Sequence, residues 1–68
     1  MPISARNRLP GVVEEVHLGT IMARIVVKVG NNSVESVITR ASAEELKLQK
    51  GDPVRVVIKS TEAMIEKD

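Results

Sequence analysis

Alternation of apolar and polar residues predicts that most of this chain forms β-strands. The clearest run puts every second residue on one apolar face, as the two-residue repeat of a strand requires; its members are Ile21, Ala23, Ile25, Val27 and Val29. Gly30-Asn31-Asn32 follows, and these residues tolerate the positive φ angles of a tight hairpin. A second strand is expected from about Ser33 to Thr39. The pattern therefore predicts a β-hairpin at the centre of the chain.

Further strands are predicted on both sides of this hairpin. Residues from Ile3 to Val16 suggest one long strand that is interrupted at Pro10-Gly11, with a turn near Leu18-Gly19-Thr20. The β-branched run from Val54 to Ile58 predicts another strand, and Ala63 to Ile65 suggest a short last one.

One short helix is expected between the strands. Ser42-Ala43-Glu44-Glu45 is typical of a capping box, in which Ser42 begins one or two helical turns, with Leu46 and Leu48 pointing inward. A strand-rich small chain with one short helix indicates a mainly β class, an OB-fold-like small barrel. No repeat or linker interrupts the sequence, so we expect a single domain over residues 1–68.

Size and composition favour self-association. A chain of 68 residues is near the lower limit for an independent core. This one has no Cys for disulfides, a single His as an imidazole ligand for a structural metal, and no aromatic residue to bury. We therefore expect a homo-oligomer. The absence of a signal sequence and of a long apolar run predicts a cytoplasmic protein with no membrane partner.

The sequence carries no signature of catalysis. It has no Cys nucleophile, no Gly-x-Ser-x-Gly motif and no Gly-rich phosphate loop. His17 is expected to be a solvated turn residue, and Glu14 and Glu15 are neighbours on a strand, whose side chains face opposite ways. We therefore predict a binding protein rather than an enzyme, without a metal site or cofactor.

Hydroxyl groups and cations occur together at three predicted strand ends. These are Ser4-Ala5-Arg6-Asn7, Thr39, and Lys59-Ser60-Thr61. On a strand Ser4 and Arg6 share one face, so a hydroxyl and a forked guanidinium can address one ligand. Lys59 adds a compact positive charge, and backbone N–H groups could complete a cage for a tetrahedral dianion.

At these residues the sequence resembles the molbindin (Mop) family and the related TOBE domains. The resemblance is carried by Ile3-Ser4-Ala5-Arg6-Asn7 with Gly11, and by later matches at Ala23, Ile25, Ser36 to Thr39, Glu45-Leu46, Lys50-Gly51 and Ile58 to Thr61. It implies an OB-like barrel, a homohexamer built as a trimer of dimers, and oxyanion sites where subunits meet. It also implies molybdate or tungstate as the ligand, with storage or buffering as the role.

The resemblance assigns the anion contacts to particular residues of this chain. Side-chain contacts fall on Ser4, Arg6, Thr39 and the Lys59-Ser60 pair, and Ala5 and Asn7 take backbone or structural parts. Pro10 departs from the usual residue beside the motif and removes a backbone donor there, which makes the strand pairing doubtful at that point.

Two other functions compete with oxyanion binding. OB-like folds commonly bind single-stranded nucleic acid, but their stacking surfaces need aromatic rings, and this chain offers only arginines such as Arg8, Arg24, Arg40 and Arg55. A second alternative is an interaction module that works with a transporter or regulator. We expect no nucleic-acid partner.

Overall fold

A computed structural model describes residues 6–68 and contains one antiparallel sheet and one short helix. The elements are β1 (Asn7–Leu18), β2 (Met22–Val29), β3 (Asn32–Thr39), α1 (Arg40–Glu45) and β4 (Pro53–Ile58). The strand order is β3-β2-β1-β4. The mainly β, OB-like class with one short helix, predicted from the sequence, is confirmed.

Strand β1 is long because its two halves pair with different neighbours. From Asn7 to Val12 it pairs with β4, and from Val12 to Leu18 it pairs with β2. A β-bulge between Val13 and Glu15 shifts the register of the second half and bends the strand. Strand β1 thereby joins the two hairpin strands to β4.

The predicted interruption at Pro10-Gly11 is wrong, because β1 continues through both residues. Val13 N–H donates to the carbonyl of Asp52 at 2.9 Å, so the odd-numbered residues of β1 form the hydrogen-bonded pairs with β4. Pro10, opposite Arg55, falls in a non-bonded pair, and β2 pairs with β1 only from Val12 onward. The missing N–H of Pro10 therefore removes no ladder bond, which answers the doubt about pairing there.

The backbone of β2 passes very close to Gly11. A Cβ atom at Gly11 would lie 2.6 Å from the carbonyl oxygen of Lys28 and 2.8 Å from Val27 Cγ1. Both distances are shorter than van der Waals contact allows. Only glycine permits this approach.

The apolar face predicted for β2 forms the centre of the core. Ala23, Ile25 and Val27 are buried together with Val13 and Ala43, whereas Ile21 precedes β2 and is exposed. Val26 is buried as well, although it lies on the opposite face of β2. Its cross-strand partners are Glu15 and Glu35, and the ion pair between Glu35 and Arg24 lies on the same face.

Helix α1 begins earlier than its capping-box pattern suggested. Thr39, not Ser42, is the N-cap, since its Oγ1 accepts a hydrogen bond from Ser42 N–H. Both residues are good N-caps, but β3 ends at Thr39 and the chain turns there. The prediction that Leu46 points inward is wrong, because this side chain is 65% exposed; Leu48 does pack against the core.

Helix α1 ends in a Schellman motif that uses lysine instead of glycine. Lys47 N–H donates to the Glu44 carbonyl, and Leu48 N–H donates to the Ala43 carbonyl. This pattern requires a left-handed residue between helix and loop, and Lys47 has a φ of 52°. The conformation costs a lysine about 1–2 kcal/mol.

Lys47→Gly is therefore expected to stabilise the protein. The relief of left-handed strain exceeds the extra chain entropy that glycine gives the unfolded state, about 0.4–1 kcal/mol, so the free energy of unfolding should rise by roughly 0.5–1 kcal/mol. Denaturant unfolding measures the change. Lys47→Ala is the control, since it removes the same charge and keeps the strain; an equal gain for this variant would contradict the explanation.

The residues after β4 form no strand. The predicted short strand at Ala63–Ile65 is wrong within the single chain, where Met64 and Ile65 are each 94% exposed. A strand needs a paired neighbour, and β3 and β4 remain the edges of the sheet. Between these edges is an apolar cleft of about 480 Å³, lined among others by Ile25, Ile38, Leu48 and Val56.

No helix among residues 6–68 is long and apolar enough to cross a membrane.

Candidate functional site

The first group of predicted site residues meets at one end of the β1–β4 ribbon. Asn7 pairs with Ile58 as the last pair of the ladder, so Arg6 and Lys59, which flank this pair, come next to each other across the ribbon end. Ser60 follows in a turn closed by a hydrogen bond of 2.9 Å from Glu62 N–H to the Lys59 carbonyl. Arg6, Lys59 and Ser60 are all exposed. The predicted site residues Ser4 and Ala5 lie outside the described residues.

The second group is a pair of hydroxyls at the start of α1. Thr39 Oγ1 donates to Ser42 Oγ at 2.8 Å and accepts from Ser42 N–H at 3.1 Å. A hydroxyl has one proton to donate, and that of Thr39 is used by Ser42. The hydroxyl proton of Ser42 thus remains available to a ligand.

Ser42 is a candidate site residue that the sequence reasoning missed. In the sequence, helix capping alone explains a serine at this position. The available signal was its spacing of three residues from Thr39, which is the distance between an N-cap and the backbone N–H that it caps. The structure brings the two hydroxyls into hydrogen-bond contact.

Arg40 holds the hydroxyl pair against the turn between β1 and β2. Its backbone N–H donates to the Ile21 carbonyl at 2.8 Å, and its Nη1 donates to the Gly19 carbonyl at 3.2 Å. Its Nε donates to Glu44 one helical turn later at 3.2 Å. The guanidinium fork thereby connects the helix to the turn, next to Thr39.

A single chain does not bring the two groups together. Arg6 and Asn7 are at the start of β1, whereas Thr39 pairs with Met22 beside the end of β1. The 12 residues of β1, at a rise of about 3.3 Å per residue, put these ends roughly 35 Å apart along the strand. Each chain thus presents a cationic group at one end and a hydroxyl pair at the other.

His17 lies on β1 and is hydrogen-bonded to Glu15. Its Nε2–H donates to Glu15 Oε1 at 2.6 Å, and both side chains are half-exposed. This hydrogen bond, with smaller contributions from the charges of His17, Arg24 and Lys50 and against a small desolvation cost, lowers the pKa of Glu15 below its usual value. Glu14 instead accepts from Ser33 at 3.5 Å, so the two glutamates have separate partners.

Metal-ligating side chains do not cluster in the described part of the chain. Residues 6–68 contain no group of three or more His, Cys, Asp or Glu side chains that could hold a metal ion. The chemistry of the two groups is instead that of hydrogen-bond donors and positive charge, which suits an anion.

Comparison with known proteins identifies the family. The TOBE domain family matches residues 3–65. Molybdenum-pterin-binding protein 1 of Clostridium pasteurianum is 44% identical over 66 residues, which cover 96% of this chain and 97% of the relative. The Haemophilus influenzae protein described as a probable molybdenum-pterin-binding protein is 35% identical over 66 residues, which cover 96% of each chain.

Solved structures agree with this result. The molybdate-binding protein from Sporomusa ovata superposes with a TM-score of 0.94 at 39% identity, covering 98% of this chain and 100% of that one. The cytoplasmic molybdate-binding protein ModG, solved with molybdate bound, gives a TM-score of 0.85 at 28% identity over 91% of this chain and 45% of ModG. The chain described here belongs to the TOBE domain family, within its molbindin (Mop) branch.

Proposed function

We propose that this protein binds molybdate, and equally tungstate, as a reversible store of the oxyanion in the cytoplasm. The observation that carries the proposal is the position of Arg6 and Lys59, each one residue beyond the last pair of the β1–β4 ladder, in a chain that matches molybdenum-pterin-binding relatives over almost its whole length. Ser60 adds a hydroxyl beside this pair. The resemblance adds Ser4, with Ala5 and Asn7 in backbone or structural parts.

The donor set explains why a fully ionised tetrahedral oxyanion is the ligand. Arg6 and Lys59 offer only donors and positive charge, and such charge-assisted bonds are the strongest that a protein makes with an anion. Phosphate near neutral pH carries an O–H that finds no acceptor among these groups. We expect sulfate to bind more weakly, because donors spaced for the larger molybdate would hold the smaller anion loosely. No covalent step is required, so we expect binding without turnover.

A complete site requires more than one copy of the chain. Thr39 and Ser42 are at the far end of β1 from Arg6, so both groups can contact one anion only when two chains meet. This placement supports a homo-oligomer, for which the resemblance implies a hexamer built as a trimer of dimers. A ligand that binds only the assembled form also stabilises the assembly.

Apolar surface on the single chain supports the same assembly. Several large apolar side chains are exposed, among them Ile21, Val37, Leu46, Met64 and Ile65. The cleft between β3 and β4 is lined mainly by valine, isoleucine and leucine and is open to solvent. Burial of such surface between copies contributes about 25 cal/mol for each Å² removed from water, which supplements the small core of one 68-residue domain.

Isothermal titration with molybdate tests the proposal. We expect selective molybdate binding and near-equal tungstate binding, with no comparable heat from sulfate or phosphate, and a sedimentation mass of a homo-oligomer. The absence of heat with every oxyanion would overturn the proposed function. Selective binding by a protein that sediments as a monomer would leave the ligand in place and overturn the interface site.

A further inference from the structure

The outer face of the β1–β4 ribbon collects four exposed cations. Opposite residues of an antiparallel ladder share a face, and Arg8 pairs with Val57 while Pro10 pairs with Arg55. Arg6 and Lys59 continue the same alternation at the end of the ribbon. We call this surface the basic face, and its cations are Arg6, Arg8, Arg55 and Lys59.

The basic face carries no compensating negative charge among the described residues. Its other members, Pro10, Val12, Pro53 and Val57, are apolar. The arginine–glutamate ion pairs among residues 6–68 use Arg24 and Arg40, which both lie elsewhere. The sequence has 10 basic and 9 acidic residues, so four cations without a carboxylate mark a strong local excess.

Arg8 and Arg55 are close enough to repel each other. They are diagonal neighbours across the ladder, which puts them roughly 7–8 Å apart at the backbone. This distance is within the Debye length of about 8 Å at physiological ionic strength. The repulsion brings no benefit to the folded chain alone, and an approaching anion relieves it.

We infer that Arg8 and Arg55 steer the oxyanion along the basic face to the Arg6–Lys59 pair. The inference rests on the proposed function and deepens it by assigning the route of approach. Arg8 is two residues from Arg6 on the same strand, roughly 7 Å away. Four like charges in a row focus the field that a dianion meets before it reaches the site, and such focusing raises association rates.

Steering changes the association rate of the anion, whereas direct ligation changes its dissociation rate. Arg8 and Arg55 act on the approaching anion, so their removal slows association and leaves dissociation unchanged. For a dianion about 10 Å from two charges, association should slow about five- to tenfold at 0.01 M ionic strength, and less than about twofold at 0.5 M. A residue that ligates the bound anion would raise the dissociation rate instead.

The test compares the double variant Arg8→Gln/Arg55→Gln with a matched control, Lys47→Gln/Lys50→Gln, whose residues lie outside the β1–β4 ladder. Both replace two exposed cations and change the net charge equally, but the control leaves the basic face intact. Exchange of isotope-labelled molybdate against unlabelled molybdate gives the dissociation rate, and titration gives Kd, so that their ratio gives the association rate. We expect the slower, salt-sensitive association only in the first variant, and both variants should unfold like the parent protein.

Each other outcome overturns the inference. Equal slowing in both variants would assign the effect to net charge, and a faster dissociation in Arg8→Gln/Arg55→Gln would make these residues ligands. Retention of a single-stranded oligonucleotide by the parent protein but not by this variant would assign the basic face to nucleic acid. If the parent protein binds no oxyanion, the proposed function itself is overturned. If the parent protein binds molybdate and Arg8→Gln/Arg55→Gln has the same association rate, only the steering is overturned.

Discussion

Gly11→Ala should lower the free energy of unfolding by about 3 kcal/mol, at the upper end of the cost of overpacking a core. The new Cβ would lie 2.6 Å from the Lys28 carbonyl oxygen, so the backbone of β1 or β2 must move. Relief by a side-chain rotation is excluded, since the closest atom belongs to the backbone. Small domains have only about 5 kcal/mol of stability to lose. Denaturant unfolding, followed by far-UV circular dichroism, measures the change.

Gly30→Asn is the matched control for this experiment. It also removes a glycine from the unfolded chain, but no atom lies within 4 Å of a Cβ at Gly30, and its φ of +60° is one that asparagine tolerates. We expect a change of less than about 1 kcal/mol for this variant. Equal losses at both positions would contradict the steric explanation for Gly11.

The central hairpin could be predicted because its determinants are local. The two-residue repeat from Ala23 to Val27 and the Gly30-Asn31 turn specify both the strands and the face that is buried. The short helix was also predictable as an element. Its start was not, because Thr39 and Ser42 are both good caps and the choice depends on where β3 ends. Lys47 gave no sign of a left-handed conformation, since glycine is the usual signal.

Other errors arose where the outcome depends on pairing partners. Pro10 suggested an interruption, yet its N–H would have faced the side of β1 that has no neighbour at this point. Met64 and Ile65 suggest a strand, yet this segment pairs with no strand of the single chain. A sequence pattern states what a segment prefers, and the tertiary neighbours decide whether the preference is realised.

The arrangement of the candidate site residues could not be predicted from the sequence. Arg6, Thr39 and Lys59 were selected because they are donors at strand ends. The sequence does not reveal that Arg6 and Lys59 meet across the β1–β4 ladder while Thr39 is at the other end of β1, since this depends on long-range register. Ser42 became a candidate only through its hydrogen bond with Thr39.

Arg6→Ala and Lys59→Ala should each weaken molybdate binding by about 10- to 100-fold. A hydrogen bond to a charged group contributes roughly 1.5–3 kcal/mol, and each variant removes one such donor from the ribbon end. Both side chains are exposed, so the fold and the unfolding midpoint should not change. Isothermal titration of the two variants beside the parent protein gives the affinities.

The double variant separates one shared site from two independent effects. When both cations bind the same anion, loss of the first weakens what remains for the second, so the free-energy changes of Arg6→Ala and Lys59→Ala should not add. Lys28→Ala is the control, because it removes an exposed positive charge from β2, away from the ribbon end, and we expect less than about a twofold change, since exposed charges at a distance are screened by salt. Strictly additive losses would place the cations at separate sites, and parental affinity in both single variants would contradict the assignment of the site to this end of the ribbon.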